Sequence, residues 1–353
     1  MPTMEVGIVG LPNVGKSSLF NALTRAKAAE GNFPFTTIEP NVGVVSVPDN
    51  RLDFLAEHFQ SAKVVPATIK FVDIAGLIGG ASKGEGLGNK FLGHIRSVDA
   101  IAEVVRVFEE PNITHVQGEI NPKVDIATIN TELLLADLEQ AERALDGARK
   151  SQDREAPKQV AALERAIELL GHDQPLRTNP ALAKELAPWQ FLTAKALLYI
   201  ANIGEGSNDI SQIQSQAQSE LAKAISINVK VELEVVELPP SEQVEYRREL
   251  GLKSGLEEVI RSGYDLLGLI TFFTAGPSEA HAWPIARGTL APAAAGKIHT
   301  DFQRGFIRAQ VYSVDDLREL GSEKVIKERG KLRIEGRDYI VQDGDVIEFL
   351  FNV

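Results

Sequence analysis

The chain of 353 residues carries 37 basic and 49 acidic side chains, a formal net charge of −12, and contains no cysteine. Its length predicts two or three domains with real hydrophobic cores. The absence of cysteine excludes disulfides, thiolate metal sites and cysteine nucleophiles. We see no bilayer-length apolar run and no basic leader segment, so we expect no membrane partner and a cytoplasmic location. The acidic balance disfavours indiscriminate nucleic-acid binding, and we expect no DNA partner.

The amino-terminal segment has the pattern of a strand, a glycine-rich loop and a helix. An apolar run at residues 5–9 predicts the strand, and Leu19, Phe20 and Leu23 give residues 16–25 one apolar helical face. Strands alternating with helical segments predict a mostly parallel, three-layer α/β sheet. The further strand-like runs are residues 42–47, 68–72, 100–108, 196–201 and 226–231.

The glycine-rich loop carries the clearest chemical signal. Residues 10–17 read GLPNVGKS and fit the pattern G-x-x-x-x-G-K-[ST] in full. In such a loop the backbone N–H groups and the helix N-terminus hold a phosphate, the lysine reaches the β- and γ-phosphates, and the hydroxyl ligates Mg²⁺. We therefore predict Lys16 as a catalytic residue. The predicted nucleotide-binding residues of this segment are Asn13, Val14, Gly15, Lys16, Ser17 and Ser18.

Three more positions complete a predicted switch. An apolar strand ends at Asp73, which would approach the magnesium ion, and the N–H of Gly76 would face a γ-phosphate. Thr37 lies between the first helix and the next strand, where a switch threonine belongs. The predicted metal ligands are Ser17 and Thr37, with Asp73 nearby through water.

The α/β alternation is interrupted between residues 131 and 188. Apolar residues recur at helical spacing from Leu134 to Ala148 and again from Val160 to Leu170, which predicts two amphipathic helices closed by residues 171–175. The narrow, alanine-rich stripe favours a protruding hairpin like a coiled coil. Packing of both helices onto the main core is the alternative.

From residue 266 onward, short apolar runs separated by turn signals predict a small β-rich domain. Six lysines and arginines against two glutamates at residues 324–337 make a candidate surface for ribosomal RNA, with a solvated face as the alternative. Trp283 could stack on an RNA base, although a half-buried core position is the alternative interpretation.

Together with Asn202-Ile203-Gly204-Glu205, these motifs resemble the YchF family of Obg-like ATPases, over essentially the whole chain. The runs that carry the resemblance are GGASKGEGLGN at 79–89, NTEL at 130–133, TFFTAGP at 271–277 and APAAAG at 291–296. The resemblance implies an α/β fold: a Ras-like P-loop NTPase domain with an inserted α-helical coiled-coil hairpin and a C-terminal β-grasp-like TGS domain. The expected boundaries are 1–130 and 189–265 for the NTPase domain, 131–188 for the insertion and 266–353 for the TGS domain.

The base-recognition loop departs from that of ordinary GTPases, which identify guanine with N-K-x-D. Here Ile203 replaces the stacking lysine stem, and the extra methylene of Glu205 displaces its carboxylate from the aspartate position. The resemblance implies that ATP is accepted, and GTP is the alternative. Residues 230–234 lack the small Ser/Ala element with which many relatives line the base. A purely structural alternative is that Asn202 and Glu205 cap the following helix.

The hydrolytic residue also departs from the GTPase pattern. Leu77 stands where a glutamine would orient the attacking water, so slow intrinsic hydrolysis is expected. The resemblance makes His115 the candidate catalytic substitute; an exposed bystander is the alternative. Asn13 is the residue type that helps hold K⁺ in related NTPases, so K⁺ is a second candidate ion beside Mg²⁺.

The leading hypothesis is a monomeric, cytoplasmic, Mg²⁺-dependent ATPase that acts as a nucleotide switch with the ribosome or ribosomal RNA in translation or stress response. One alternative is an Obg-type GTPase. Another is a ribosome- or RNA-binding module that nucleotide regulates with little turnover.

Overall fold

The computed structural model describes residues 4–28, 41–74, 87–110, 120–204, 209–249 and 254–352. Its strands there are β1 (Glu5–Val9), β2 (Val42–Ser46), β3 (Val64–Val65), β4 (Thr68–Asp73), β5 (Ala100–Arg106), β6 (Ala196–Asn202), β7 (Lys223–Ile227), β8 (Leu269–Ala275), β9 (Ala280–Ala286), β10 (Phe306–Ser313), β11 (Arg333–Glu335) and β12 (Asp345–Phe351).

The helices in the same ranges are α1 (Lys16–Ala28), α2 (Asn50–Phe59), α3 (Leu87–Ser97), α4 (Pro122–Lys150), α5 (Ala156–Gly171), α6 (Pro180–Glu185), α7 (Ser211–Ser219), α8 (Val229–Glu237), α9 (Pro240–Glu249), α10 (Gly255–Leu266), α11 (Ala291–Ile298), α12 (Thr300–Arg304), α13 (Val314–Leu320) and α14 (Glu323–Glu328). Short 3-10 turns lie at Leu176–Thr178 and Ala187–Trp189. Among the described helices, none combines the length and the apolar character that crossing a membrane requires.

The chain divides into two compact units. The first comprises the described residues of Met1–Val45 and Lys70–Gly263, and the second those of Ser46–Ile69 and Tyr264–Val353. A six-stranded sheet in the order β2-β4-β1-β5-β6-β7 dominates the first unit. β1 pairs in parallel with β4 and β5, and β5–β6 and β6–β7 are also parallel. The predicted parallel α/β sheet is therefore confirmed.

Parallel pairing decides where the chemistry of the first unit gathers. Ile8 of β1 is in register with Asp73 of β4, and all of β5 is buried. Because parallel strands end at one edge, the loop after β1 and the carboxylate that ends β4 meet there. This edge positions the candidate site.

The helical insertion begins earlier than predicted. Asn121 caps α4 by accepting a hydrogen bond from the N–H of Val124, so the helix starts nine residues before position 131. Residues 151–155 connect α4 to α5. Residues 171–175, which were predicted to close the hairpin, instead comprise the last residue of α5 and the four residues after it. Adjacent helices joined by so short a connection are antiparallel neighbours.

α4 packs against different partners along its length. The start of α4 packs against β5 and α7. Further along, the predicted stripe forms a core with α5 and the segment that follows, which includes Ala141, Leu163 and Leu182, each at most 1% exposed. A helical periodicity shows which face is apolar but not which partner covers it, so only the structure separates the two parts of α4.

The second unit is built on a sheet in the order β11-β10-β12-β8-β9-β3. β8–β9, β10–β11 and β10–β12 are antiparallel, whereas β12–β8 and β3–β9 are parallel. Phe272, Ile347 and Phe306 pack with the small residues of α11 to form its core. The predicted β-rich C-terminal domain is present.

Residues 46–69 group with this second unit, although the predicted boundary placed them in the nucleotide domain. Val64 and Val65 of β3 pair with Ala280 and His281 of β9. Leu52 and Leu55 of α2 are buried, and α2 packs on β8 and β9. Pairing across more than two hundred residues leaves no local pattern in sequence, which is why the boundary at 130 did not anticipate it.

Candidate nucleotide-binding site

The loop between β1 and α1 depends on its two glycines. Gly10 and Gly15 adopt φ of 150° and 102°, a region that side chains rarely enter. A Cβ at Gly10 would lie 2.6 Å from the carbonyl oxygen of Val104, and one at Gly15 would collide with the side-chain amide of Asn202. Asn13 also has a positive φ of 63°. The loop therefore has the tight backbone path that the motif predicted.

Lys16 lies folded into this loop. Lys16 is only 8% exposed, and its Nζ donates to the carbonyl oxygen of Leu11 at 2.7 Å. Burial lowers the pKa of Lys16, and the nearby carboxylate of Asp73 partly opposes that shift. An ammonium in this position is a buried positive charge that an anionic ligand would stabilise.

Ser17 and Asp73 meet at the edge of the sheet. Ser17 Oγ donates to Asp73 Oδ2 at 3.0 Å. The other oxygen, Oδ1, is buried and has no hydrogen-bond partner among the described residues. A hydroxyl beside a carboxylate with an unsatisfied oxygen is a donor set that suits a hard cation.

The described part of the chain holds no cluster of three or more His, Cys, Asp and Glu residues arranged to bind a metal. A cation at Ser17 and Asp73 would therefore need further oxygens from a phosphate and from water. Mg²⁺ is bound in that manner in nucleotide sites, whereas Zn²⁺ needs more protein ligands. The residues present fit magnesium.

The side-chain amide of Asn202, which was predicted to read the base, forms hydrogen bonds to the protein through both its nitrogen and its oxygen. Asn202 is 4% exposed, its Nδ2 donates to the carbonyl oxygen of Val14 at 2.9 Å, and its Oδ1 accepts from the N–H of Val229 at 3.2 Å. It does not cap α7, whose N-cap is Ile210. Asn202 thus ties the glycine-rich loop to the start of α8.

A cavity of about 700 Å³ opens beside the loop. It is lined by Asn13, Gly15, Ser18, Phe108, Glu109, Glu110, Asn202, Ile203, Gly204, Asn228, Val229, Lys230, Leu233, Glu234 and Glu237. Five of the predicted nucleotide-binding residues line it: Asn13, Gly15, Ser18, Asn202 and Ile203. Its volume and mixed apolar and polar lining are typical of small-molecule sites.

Phe108 and Asn228 were not predicted as site residues. Each follows a strand of the parallel sheet, β5 and β7 respectively, and so reaches the same edge as the loop. Asn228 also caps α8 by accepting from the N–H of Val231 at 3.1 Å. Phe108 ends the strand-like run 100–108, which was the available signal, since ligands bind at the carboxyl ends of such strands. Asn228 lies inside the predicted strand 226–231, and that prediction is wrong because β7 ends at Ile227 and α8 begins at Val229.

Five predicted positions lie outside the described residues: Thr37, Gly76, Leu77, His115 and Glu205. Their roles stay predictions.

In the second unit, four of the six basic residues of the candidate RNA surface have partners within the protein. Lys324 pairs with Glu328 at 4.0 Å, and Arg337 Nη2 donates to the carbonyl oxygen of Phe306 at 2.9 Å. Lys331 Nζ lies 3.2 Å from Asp316 Oδ1, and Arg333 Nη2 lies 3.0 Å from Asp345 Oδ1. Lys327 and Arg329 are exposed and form no ion pair with a described residue. These two are the better candidates for an external contact.

Trp283 is engaged on its ring and at its nitrogen. The ring stacks on His281 at a centroid distance of 3.6 Å and lies 6.3 Å from Phe272. Its Nε1 donates to Thr274 Oγ1 at 3.0 Å. These contacts fit the half-buried core interpretation rather than base stacking.

A parallel sheet whose first strand runs into a glycine-rich loop and helix, with a lysine, a serine and a strand-end aspartate gathered there, defines a P-loop nucleoside triphosphate-binding protein. A family model described as 50S ribosome-binding GTPase matches residues 5–136. The C-terminal model of YchF GTPases, described as a protein of unknown function (DUF933), matches residues 269–352. The chain belongs to the YchF family.

Relatives over the full length support this assignment. A protein named Ribosome-binding ATPase YchF from Escherichia coli O157:H7 is 51% identical over 360 residues, covering 99% of each chain. Its namesake from Bacillus subtilis is 47% identical over 367 residues, covering 99% of this chain and 100% of that one. A solved structure titled as the Schizosaccharomyces pombe YchF GTPase superposes with a TM-score of 0.90 at 36% identity, covering 99% and 98% of the two chains.

Proposed function

We propose that this chain is an Mg²⁺-dependent ATPase that acts as a nucleotide switch with the ribosome. The observation that carries the proposal is the grouping of Lys16, Ser17 and Asp73 at one edge of the parallel sheet, with the Ser17–Asp73 hydrogen bond at 3.0 Å. The names of the bacterial relatives support the ATPase activity and the ribosomal partner.

Ser17 and Asp73 would hold the magnesium ion, with Thr37 as a third ligand from its sequence position. The buried, unpartnered Oδ1 of Asp73 supports this assignment. When bound, Mg²⁺ neutralises charge on the β- and γ-phosphates. The binding of a K⁺ ion beside Asn13 stays a prediction that rests only on the type of residue at this position.

The phosphates would lie against the loop N–H groups and the N-terminus of α1, whose dipole favours negative charge. Lys16 would exchange the carbonyl oxygen of Leu11 for a phosphate oxygen and stabilise the transferring γ-phosphoryl group. Gly76 would face that group through its N–H, and His115 would orient the attacking water in place of a glutamine. Because Leu77 cannot do so, we expect slow intrinsic turnover.

The base would occupy the 700 Å³ cavity beside the loop. Ile203 and Phe108 supply apolar surface there, and Asn228 supplies an amide. Glu205 would read the base edge. Preference for ATP over GTP rests on the absence of the guanine-reading aspartate, because each hydrogen bond left unmade removes about 1–3 kcal/mol of discrimination.

The switch would act through Thr37 and Gly76, which would order around a triphosphate and relax after hydrolysis. A ribosomal partner would place the activity in the cytoplasm. For the ribosomal contact we favour the exposed pair Lys327 and Arg329. Charge reversal at both positions should weaken ribosome association and flatten its salt dependence, whereas reversal of Glu319 on α13 serves as the control.

The test of the nucleotide proposal is calorimetry with non-hydrolysable ATP and GTP analogues, in the presence of Mg²⁺ and K⁺. We expect tighter binding of the ATP analogue, lost in Lys16→Ala. No binding of either analogue would refute the proposal.

GTP hydrolysis is the second candidate, because the matching amino-terminal family model and the fission-yeast structure are both described as GTPases. Tighter binding of the GTP analogue in the same experiment would establish that function instead.

A further inference from the structure

Arg106, the last residue of β5, is buried behind the nucleotide cavity. Arg106 is only 1% exposed, although its side chain ends in a charged guanidinium group. Nε donates to the carbonyl oxygen of Phe108 at 3.1 Å, and Nη2 donates to that of Glu110 at 3.4 Å. Its Cζ lies 4.5 Å from the centroid of the Phe108 ring. One buried cation therefore contacts both the backbone and the ring of the segment 108–110.

That segment forms one wall of the cavity. Phe108, Glu109 and Glu110 all line it. The backbone just before Phe108 is fixed by the N–H of Val107, which donates to the carbonyl oxygen of Asn202 at 2.9 Å. A Cβ at Gly204 would lie 2.9 Å from the Cβ of Phe108, so Gly204 lets the two segments approach closely.

We propose that Arg106 is a positioning residue that holds Phe108 as an aromatic wall for the nucleotide base. This inference rests on the proposed function, since it requires the base of the bound nucleotide to occupy the 700 Å³ cavity. Arg106 is not among the residues that line the cavity, so it acts on the ligand through the segment 108–110 that it contacts. It should set the affinity for the base and leave the affinity for the phosphates unchanged.

The chemistry of the side chain supports arginine over lysine in this place. A planar guanidinium donates in two directions at once and stacks on an aromatic ring, whereas an ammonium is a compact point charge. Its hydrogen bonds to two backbone carbonyls also keep the buried charge solvated by the protein. Arg106→Lys should therefore restore part of the function that Arg106→Met loses.

The experiment measures, by calorimetry on the full chain with Mg²⁺, the affinities for an ATP analogue and for inorganic tripolyphosphate, which has no base. The variants are Arg106→Met, Arg106→Lys, Phe108→Leu and the double variant Arg106→Met with Phe108→Leu. Arg177→Met is the matched control, because Arg177 is also buried and pairs with Glu220 at 2.8 Å away from the cavity lining. Denaturant midpoints report any general loss of stability.

Arg106→Met should weaken binding of the ATP analogue about tenfold or more, within the range that base–aromatic stacking provides. Tripolyphosphate affinity should stay within about twofold, a change of less than 0.5 kcal/mol. Phe108→Leu should likewise weaken binding of the ATP analogue and leave the tripolyphosphate affinity unchanged. The double variant should bind the ATP analogue little more weakly than either single variant does. Arg177→Met should lower the denaturant midpoint without weakening ATP-analogue binding relative to tripolyphosphate binding.

Equal losses for both ligands, unchanged affinity for the ATP analogue, or full additivity in the double variant would each overturn the role of Arg106. If Arg106→Met does not fold, Arg106→Lys and Phe108→Leu carry the same comparison. A wild-type chain that binds no ATP analogue would instead refute the proposed function, and the inference with it.

Discussion

The side-chain amide of Asn202 joins the end of β6 to the phosphate loop: its Nδ2 donates to the carbonyl oxygen of Val14 at 2.9 Å. On its other side it accepts from the N–H of Val229 at 3.2 Å. One buried residue thus fixes the loop against the helix that follows β7. The GTPase-like motif around Asn202 therefore has a structural function in this chain, whichever base is bound.

Asn202→Ala should weaken ATP binding about tenfold, because it leaves a buried carbonyl and a buried N–H without partners, at about 1–3 kcal/mol each. Calorimetry measures the affinity, and a denaturant titration measures the accompanying loss of stability. Asn228→Ala is a useful comparison, since it removes a helix cap of the same chemistry beside the cavity. Affinity within twofold of wild type in Asn202→Ala would show that the loop holds its shape without this residue.

Ser17→Ala should raise the Mg²⁺ concentration needed for nucleotide binding more than it weakens Mg²⁺-free binding, because the hydroxyl contacts the proposed cation site and Asp73 rather than the phosphates directly. The measurement is ATP-analogue affinity titrated against Mg²⁺. Ser18→Ala, one residue along in the same helix, is the control. An identical Mg²⁺ dependence in Ser17→Ala and Ser18→Ala would contradict the assignment of Ser17 as a ligand.

Glu103 should make the chain less stable as the pH rises. Burial is the main cause that raises its pKa well above the usual value of 4.5, and the negative charge of Glu220 adds to the shift. Both carboxyl oxygens lack a hydrogen-bond partner among the described residues. The native state therefore keeps a proton that the unfolded state loses above pH 4.5, and stability falls as the pH rises from there toward the raised pKa.

Glu103→Gln should remove this slope and stabilise the chain at neutral pH, by about 1.4 kcal/mol for each pKa unit of the shift. Urea titrations at several pH values between 4.5 and 8 measure the free energy of unfolding and its dependence on pH. Glu220 is unsuitable as a control because it accepts from Arg177 and Asn130. Exposed Glu139→Gln serves instead, and the hypothesis fails if both variants follow the wild-type pH profile.

Arg51→Met should destabilise the second unit by about 1–3 kcal/mol, since hydrogen bonds to charged groups are of that order and one partner is left behind. Arg51 pairs with Asp49 at 2.7 Å and Asp343 at 2.8 Å, and its guanidinium lies 5.2 Å from the ring centroid of Phe273. Both carboxylates raise its pKa, although burial opposes them.

Hydrogen exchange of the backbone amides of β8 and β9 measures the loss of stability that Arg51→Met causes in the second unit. Lys324→Met is the matched control: its ion pair with Glu328 spans 4.0 Å on the surface, and such pairs contribute at most about 1 kcal/mol. Equal protection in the Arg51 and Lys324 variants would mean that the Arg51 cluster adds nothing to the second unit.

Local patterns in the sequence were enough to predict the phosphate loop, the parallel sheet and the two helices of the insertion. Gly10, Gly15 and Lys16 belong to one short motif, and the apolar stripe from Leu134 to Ala148 repeats within a single helix. Such features arise from neighbouring residues, whose spacing alone fixes which side chains share a face. The meeting of Ser17 and Asp73 also followed, because parallel strands end at one edge.

Contacts between distant segments were decided only by the tertiary structure. The grouping of α2 and β3 with the second unit and the hydrogen bond between Asn202 and Val14 each join residues that are far apart in the chain. A two-residue strand such as β3 has no periodicity of its own and is defined by the strand it pairs with. The sequence by itself therefore determined which residues form the candidate phosphate-binding loop, whereas the folded chain determined what holds that loop in place, because buried polar groups take the partners that close packing brings to them.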